Sequence, residues 1–306
     1  MKTIALIGEC MIELNGEPFA AMRQTYGGDS LNTATYLARV SRNTRVHYVT
    51  ALGRDPLSRG MVAHWQADGI DTTHVLTDPE RQPGLYLIQL DAHGERTFLY
   101  WRNDSAARYL LQHRDWQRIE AALPQFDAIY LSGISLAILP PHDRARLIAT
   151  LVRCTHSRLI FDGNYRPKLW QSAEETRAAY QALLPHVDLA LMTFDDEQAL
   201  WGDASPEASI ARLQAAGVRE CVLKLGAEGA RYAQGDTRVT VPAETVAQVV
   251  DTTSAGDAFN AGFLAGWLHG TMPRECCALG NRLAAIVIQH KGAIIAKEYC
   301  QLLENP

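Results

Sequence analysis

Basic side chains never gather into a run in this 306-residue sequence. Its 29 Lys and Arg and 34 Asp and Glu are spread along the chain and leave a net charge of −5. With no basic stripe to neutralise a phosphate backbone, nucleic acid is not expected as a partner. No apolar stretch approaches the ~20 residues of a membrane span, so no membrane association is expected. The opening Thr3-Ile4-Ala5-Leu6-Ile7 is cut short by Glu9 with no cleavage site after it, so it reads as a first buried strand and not as a secretory signal. The six cysteines, Cys10, Cys154, Cys221, Cys276, Cys277 and Cys300, lack C-x-x-C spacing, and the adjacent Cys276 and Cys277 are poorly placed to bridge one another. They read as reduced thiols of a cytoplasmic protein. Internal repeats, low-complexity tracts and Pro/Gly-rich linkers are missing too, which leaves 1–306 as one expected domain. After the first strand comes Gly8-Glu9-Cys10-Met11 in place of G-x-G-x-x-G, an absence that argues against a nicotinamide dehydrogenase.

What is present is a chain that is 47% hydrophobic, enough to bury a large core. Short apolar runs at Thr3 to Ile7, Val46 to Ala51, Ala128 to Leu131, Leu159 to Phe161, Leu189 to Met192 and Cys221 to Leu225 read as strands. Between them, Leu31 to Val40, Leu57 to Ala67, Arg144 to Val152 and Ala173 to Leu184 carry apolar residues at helical spacing. The alternation predicts an α/β fold, a mostly parallel sheet flanked by helices on both faces. One stretch breaks the pattern. Gly84 to Leu90 and Arg96 to Trp101 read as two strands joined by Asp91-Ala92-His93-Gly94-Glu95, a hairpin that does not belong inside a parallel unit. With the polar segment Glu13 to Thr25 it suggests a small β lid built from about 9–26 and 83–104, over the carboxyl edge where open α/β sheets bind ligands. An ordinary surface excursion is the other reading of the same residues.

The densest chemical signal is Asp251-Thr252-Thr253-Ser254-Ala255-Gly256-Asp257-Ala258-Phe259-Asn260-Ala261-Gly262, a small-residue turn running into the apolar helix Ala258 to Leu268. The first N–H groups of such a helix lack intrahelical partners and form an anion site, which Ala255 and Gly256 leave open to a phosphate. Asp257 then stands where it can orient an attacking hydroxyl and take its proton. On the residues alone, Asp257 serves equally as a carboxylate favoured by the helix dipole.

This run resembles the carboxyl-terminal signature of the ribokinase/PfkB carbohydrate kinases, usually D-T-T-G-A-G-D, with Ser254 in place of the usual Gly. The resemblance implies a ribokinase-like fold, ATP and Mg²⁺ as cofactors, an anion hole of Ala255, Gly256 and Asp257, and Asp257 as the base. It also implies that Asp251 and Thr253 help bind a monovalent cation such as K⁺. Gly27-Gly28-Asp29-Ser30-Leu31-Asn32-Thr33-Ala34 resembles the family's amino-terminal signature, which assigns Gly28, Asp29 and Asn32 to the sugar. Read by itself, it is a capped helix start. Lys224-Leu225-Gly226-Ala227-Glu228-Gly229 follows a strand, and the resemblance sets it against the nucleotide, with a bare hairpin turn as the rival. The implied nucleotide set is Asn164, Thr193, Lys224, Gly226, Gly229, Ser254, Ala255, Gly256 and Asn281. Many relatives carry N-x-x-E where this chain has Thr193-Phe194-Asp195-Asp196, a departure that falls on Thr193 and Asp196.

Asp162-Gly163-Asn164-Tyr165-Arg166 leaves a predicted strand and puts Arg166 beyond its carboxyl end, where a guanidinium can meet a carboxylate or phosphate with paired donors. A surface salt bridge is the bland alternative. In the lid, alternation sets Phe98, Tyr100 and Arg102 on one face and Trp101 on the other, with Tyr86 joining the first face from the partner strand. Two arginines with two tyrosines suit an acidic sugar better than a neutral hexose. Together with the glycine turn at 27–32, these runs resemble the branch of the family that phosphorylates 2-keto-3-deoxygluconate. The resemblance implies ATP-dependent phosphorylation at the 6-hydroxyl, with Tyr86, Tyr100, Arg102 and Arg166 on the substrate, and a homo-oligomer formed through the lid. The rivals are a fructokinase-like or other neutral-sugar kinase of the same family, and a sugar sensor without activity, against which Asp257 argues.

Overall fold

The structure, a computed structural model, describes residues 1–17, 19–90 and 96–300. The expected hairpin loop Asp91-Ala92-His93-Gly94-Glu95 lies outside the described residues. The strands, in chain order, are β1 (Lys2–Ile7), β2 (Met11–Gly16), β3 (Met22–Gly27), β4 (Thr44–Leu52), β5 (Val75–Thr77), β6 (Leu85–Leu90), β7 (Arg96–Trp101), β8 (Ala128–Ser132), β9 (Arg158–Asp162), β10 (Leu189–Thr193), β11 (Glu220–Lys224), β12 (Ala230–Gln234) and β13 (Thr237–Val241). The helices are α1 (Asp29–Val40), α2 (Pro56–Ala67), α3 (Trp116–Ala122), α4 (Gly133–Ala137), α5 (Pro141–Val152), α6 (Ala173–Leu183), α7 (Phe194–Trp201), α8 (Pro206–Ala215), α9 (Ala255–Trp267), α10 (Pro273–Val287) and α11 (Lys297–Cys300).

Nine strands form one sheet in the order β13-β12-β11-β10-β9-β8-β1-β4-β5. It is parallel from β11 to β5, and β12 and β13 add an antiparallel edge. The pleat explains why its strands read as continuous apolar runs: Ile4 and Leu6 of β1 join one buried cluster while Ala5 and Ile7 join the other. Each face needs its own helical cover. One cluster packs Leu31 and Leu37 of α1 with Phe263 of α9 and Leu283 of α10, and the other packs Ile119, Leu147 and Leu183 of α3, α5 and α6. From β1 the chain goes to β4 on one side, and β8 pairs on the other, which opens a crevice at the carboxyl ends of these strands.

The expected hairpin is present as the antiparallel pair β6 and β7, in register from Leu85 opposite Trp101 to Leu90 opposite Arg96. The segment Glu13 to Thr25, read only as polar, is two further strands. β2 and β3 pair antiparallel, and β2 pairs parallel with β6, giving a second sheet in the order β3-β2-β6-β7. The polar residues of these strands hid them, with Arg23 and Gln24 exposed while Glu13 is buried. Among the described residues no helix is long and apolar enough to cross a membrane, and all six cysteines are free and buried.

Candidate active site

The carboxyl ends of four parallel strands deliver Ser132, Asp162, Thr193 and Lys224 to one edge of the large sheet. The starts of α1 and α9 face them, and with Asp162, Thr193 and Lys224 they wall a cleft of about 420 Å³. Asp29, the first residue of α1, accepts from the Ser132 hydroxyl and from Asn164 Nδ2 at 2.8 Å. Burial raises its pKa, against the pull of the Ser132 bond. Asn164 holds this position with a φ of 35°, in the left-handed region that Asn tolerates better than most residues.

Asp257 sits in the first turn of α9 and accepts from Asn32 Nδ2 of α1 at 2.8 Å. Burial, then the nearby negative charge of Asp29, pushes its pKa up from 3.8 to about 7. Beneath it, Asp162 accepts from Tyr130 Oη at 3.0 Å and from Asn260 Nδ2 at 2.8 Å. Lys224 Nζ lies 3.5 Å from Asp162 Oδ1 and 3.0 Å from Asn260 Oδ1. A Cβ placed on Gly256 would find that ammonium, at 3.7 Å, as its nearest neighbour. The backbone at Gly256 is thus open at the helix start with a lysine beside it, chemistry suited to a phosphate, while the Ala255 N–H is spent on the Thr252 carbonyl at 3.2 Å. Ser254, immediately before, takes a φ of 66°, where the Gly of the common signature would be at ease and Ser carries a strain of about 1–2 kcal/mol.

Asp195, Asp196, Thr193 and Arg166 line the same cleft. Arg166 Nη1 is 3.5 Å from Asp196 Oδ2, and burial raises the Asp196 pKa against that attraction. Asp251 spends one carboxylate oxygen on the Thr253 N–H and the other on the Gly292 N–H, both at 2.9 Å, which ties the turn before α9 to the loop after α10. Gly28 is required for a close approach, because a Cβ there would lie 2.1 Å from the Glu9 carbonyl oxygen.

Not every candidate enters the cleft. Gly226 and Gly229, with φ of 57° and 100°, form the tight turn between β11 and β12. Asn281 donates to the carbonyls of Val241 and Pro242 at 3.2 and 2.8 Å. Tyr86, Phe98 and Tyr100 share one face of the small sheet, with ring centroids 6.0 to 6.4 Å apart, and Tyr86 donates to Glu13. Arg102 lines a separate recess with Tyr100 and Ser105 and is ion-paired to Glu9. The two arginines therefore stand in different hollows, each with a protein carboxylate already beside it. Four residues went unremarked as site members in the sequence: Glu9, Glu13, Asp162 and Asn260. For Asp162 the available signal was an acid at the carboxyl end of a predicted parallel strand, and for Glu9 an acid two residues past the first one.

A family model described as pfkB family carbohydrate kinase matches residues 1–299. The chain is 58% identical over 305 residues to the 2-dehydro-3-deoxygluconokinase of Haemophilus influenzae, covering 97% of this chain and 96% of that one. It is 48% identical over 304 residues to the enzyme of the same name from Dickeya dadantii, covering 97% and 98%. Among solved structures, aminoimidazole riboside kinase from Salmonella enterica, complexed with aminoimidazole riboside and an ATP analog, superposes with a TM-score of 0.83 over 99% of both chains at 23% identity, a likeness of fold.

Proposed function

The chain belongs to the pfkB family of carbohydrate kinases, and we propose that it transfers the γ-phosphoryl group of ATP to the 6-hydroxyl of 2-keto-3-deoxygluconate, giving 2-keto-3-deoxy-6-phosphogluconate. The observation that carries this reading is Asp257, a carboxylate with a pKa near 7 held by Asn32 at the mouth of a helix whose first amides and Lys224 share its cleft. Near neutral pH such a group is ionised in a large fraction of molecules and basic enough to receive a hydroxyl proton. The Gly256 N–H and the Lys224 ammonium stabilise charge on the moving phosphoryl group.

Magnesium, when bound, neutralises charge on the phosphates. Such an ion would be held by the phosphates and one or two carboxylates, here Asp195 and Asp196, which line the cleft. Thr193 and Asn164 complete the nucleotide side. K⁺ is assigned to the loops that Asp251 ties together, with Thr253. Gly28, Asp29 and Asn32 bind the sugar hydroxyls, and Arg102 and Arg166 bind its carboxylate end. For the arginines to meet on one molecule, the small sheet must move towards the cleft, so we assign 9–26 and 83–104 as its lid. Trp101 is 58% exposed on β7, an unpaired edge of that sheet. An edge of this kind is covered by a second copy in a homo-oligomer. Six unpaired thiols fit a reducing cytoplasm. Coupled ADP release over a panel of sugar acids and neutral sugars tests the assignment, and the acid should be the preferred acceptor.

A further inference from the structure

We propose that Glu9 is the positioning residue that presents Arg102 to the carboxylate of the sugar acid, an inference that rests on the substrate reading above. Glu9 lies just past β1, with its side chain 1% exposed, and it is ion-paired to Arg102 Nη2, whose own side chain is 9% exposed. Its other carboxylate oxygen accepts from Ser105 Oγ at 2.5 Å. The pair is walled by backbone on both sides. A Cβ on Gly28 would strike the Glu9 carbonyl oxygen, and one on Gly84 would lie 3.0 Å from Glu9 Oε1 and 3.1 Å from Arg102 Cβ. Glu9 thus connects the glycine turn of the sugar signature directly to the arginine that follows β7 of the second sheet.

Stability alone does not account for this arrangement, because a buried ion pair is often no more stabilising than apolar side chains of the same volume. The guanidinium also carries an unmet demand. Arg102 Nε is buried and has no hydrogen-bond partner among the described residues, an uncommon state for a buried donor. One nitrogen satisfied by the protein's own carboxylate and another left without an acceptor is the pattern of a guanidinium held ready for a second anion. Glu9 fixes the orientation of the group and keeps its burial tolerable until that anion arrives.

Kinetics with 2-keto-3-deoxygluconate test the assignment. Glu9→Ala should raise KM for the acid about tenfold, the equivalent of one charged hydrogen bond, with a much smaller change in kcat and in KM for ATP. Glu9→Gln keeps an acceptor oxygen and should recover much of the loss. In an Arg102→Leu background, Glu9→Ala should add less than about twofold, since two residues acting as one unit are not additive. Independent, multiplicative losses would overturn the proposal, as would a KM that falls in Glu9→Ala and reveals Glu9 as a competitor of the substrate. If Glu9→Ala fails to fold, Ser105→Ala loosens Glu9 without unpairing a charge and should raise the same KM a few-fold; an unchanged KM there contradicts the idea. Wild-type protein that does not use the acid takes down the substrate reading and this inference together, whereas normal use with multiplicative losses removes Glu9 alone.

Discussion

Asn32 and Asp257 stand 225 residues apart in the chain, yet the Asn32 amide donates to the Asp257 carboxylate across 2.8 Å. That bond joins the start of α1, which carries the sugar signature, to the start of α9, which carries the phosphate cradle. Thr33 repeats the connection by donating to the Asp257 carbonyl at 3.3 Å. Asp257 is therefore held from α1 by two hydrogen bonds, and its chemistry should respond to changes in either helix start.

Asp257→Asn keeps the shape and an acceptor for Asn32 but cannot take a proton. Its kcat should fall by about 10²–10⁴ with KM for ATP little changed. In the unaltered protein, kcat/KM should rise with pH and level off above about 7, where Asp257 becomes ionised. Near-normal turnover in the variant, or a flat profile from mildly acidic to mildly basic pH, removes Asp257 from the mechanism.

The same raised pKa has a cost in stability. The folded chain holds this proton more tightly than the unfolded one, so the contribution of Asp257 is fully present below its ordinary 3.8 and is lost as pH rises through about 7. Asp257→Asn should accordingly melt at a higher temperature than the parent at pH 8, by roughly 2 °C or more, and the gap should close towards pH 4. Thermal melts at the two pH values check this; a variant less stable at pH 8 contradicts it.

Most of the large sheet was legible from sequence because a parallel strand buried on both faces, such as Ala128 to Leu131, has no choice but to be apolar throughout. β2 and β3 were not, since Glu13, Asn15, Arg23 and Thr25 alternate on a half-exposed sheet and look like a loop. The motif at 251–262 led to the helix start that carries Asp257, which does line the cleft, through local chemistry, helix start and small residues together. Asp162 and Glu9 were invisible as partners because their roles depend on Lys224 and Arg102, residues 62 and 93 positions away, and one chain without its fold gives no such pairing. Arg102 was legible as a cation but not as one already held by a carboxylate.

Arg102→Leu and Arg166→Leu should each weaken kcat/KM for the sugar acid by about ten- to a hundredfold or more, the loss of one or more hydrogen bonds to a charged group. Arg166 lines the cleft with Asp196 and Lys224, so its loss should also depress a neutral substrate. Arg102 lies apart, and its removal should spare a weakly accepted neutral sugar. Equal losses on acid and neutral analogue in Arg102→Leu would count against the carboxylate assignment.

An oligomer formed through the second sheet predicts that Trp101→Glu shifts the protein towards monomer, because a charge is set on the exposed edge strand. Sedimentation velocity at micromolar concentration reads this directly. A parent protein that is strictly monomeric, or a variant whose assembly is unaltered, places the contact elsewhere.

The central claim is a reaction with a defined acceptor and a defined position. Purified protein with ATP and Mg²⁺ should be given 2-keto-3-deoxygluconate, fructose and ribose in parallel, with ADP release giving kcat/KM and phosphorus–proton coupling in the product spectrum locating the new ester. The expected result is a kcat/KM for the acid at least about a hundredfold above either neutral sugar, the discrimination a site gains from about 3 kcal/mol of charged hydrogen bonds, with phosphorus coupled to the two protons on carbon 6. A neutral sugar used as well as the acid, or phosphate carried on another carbon, would contradict it.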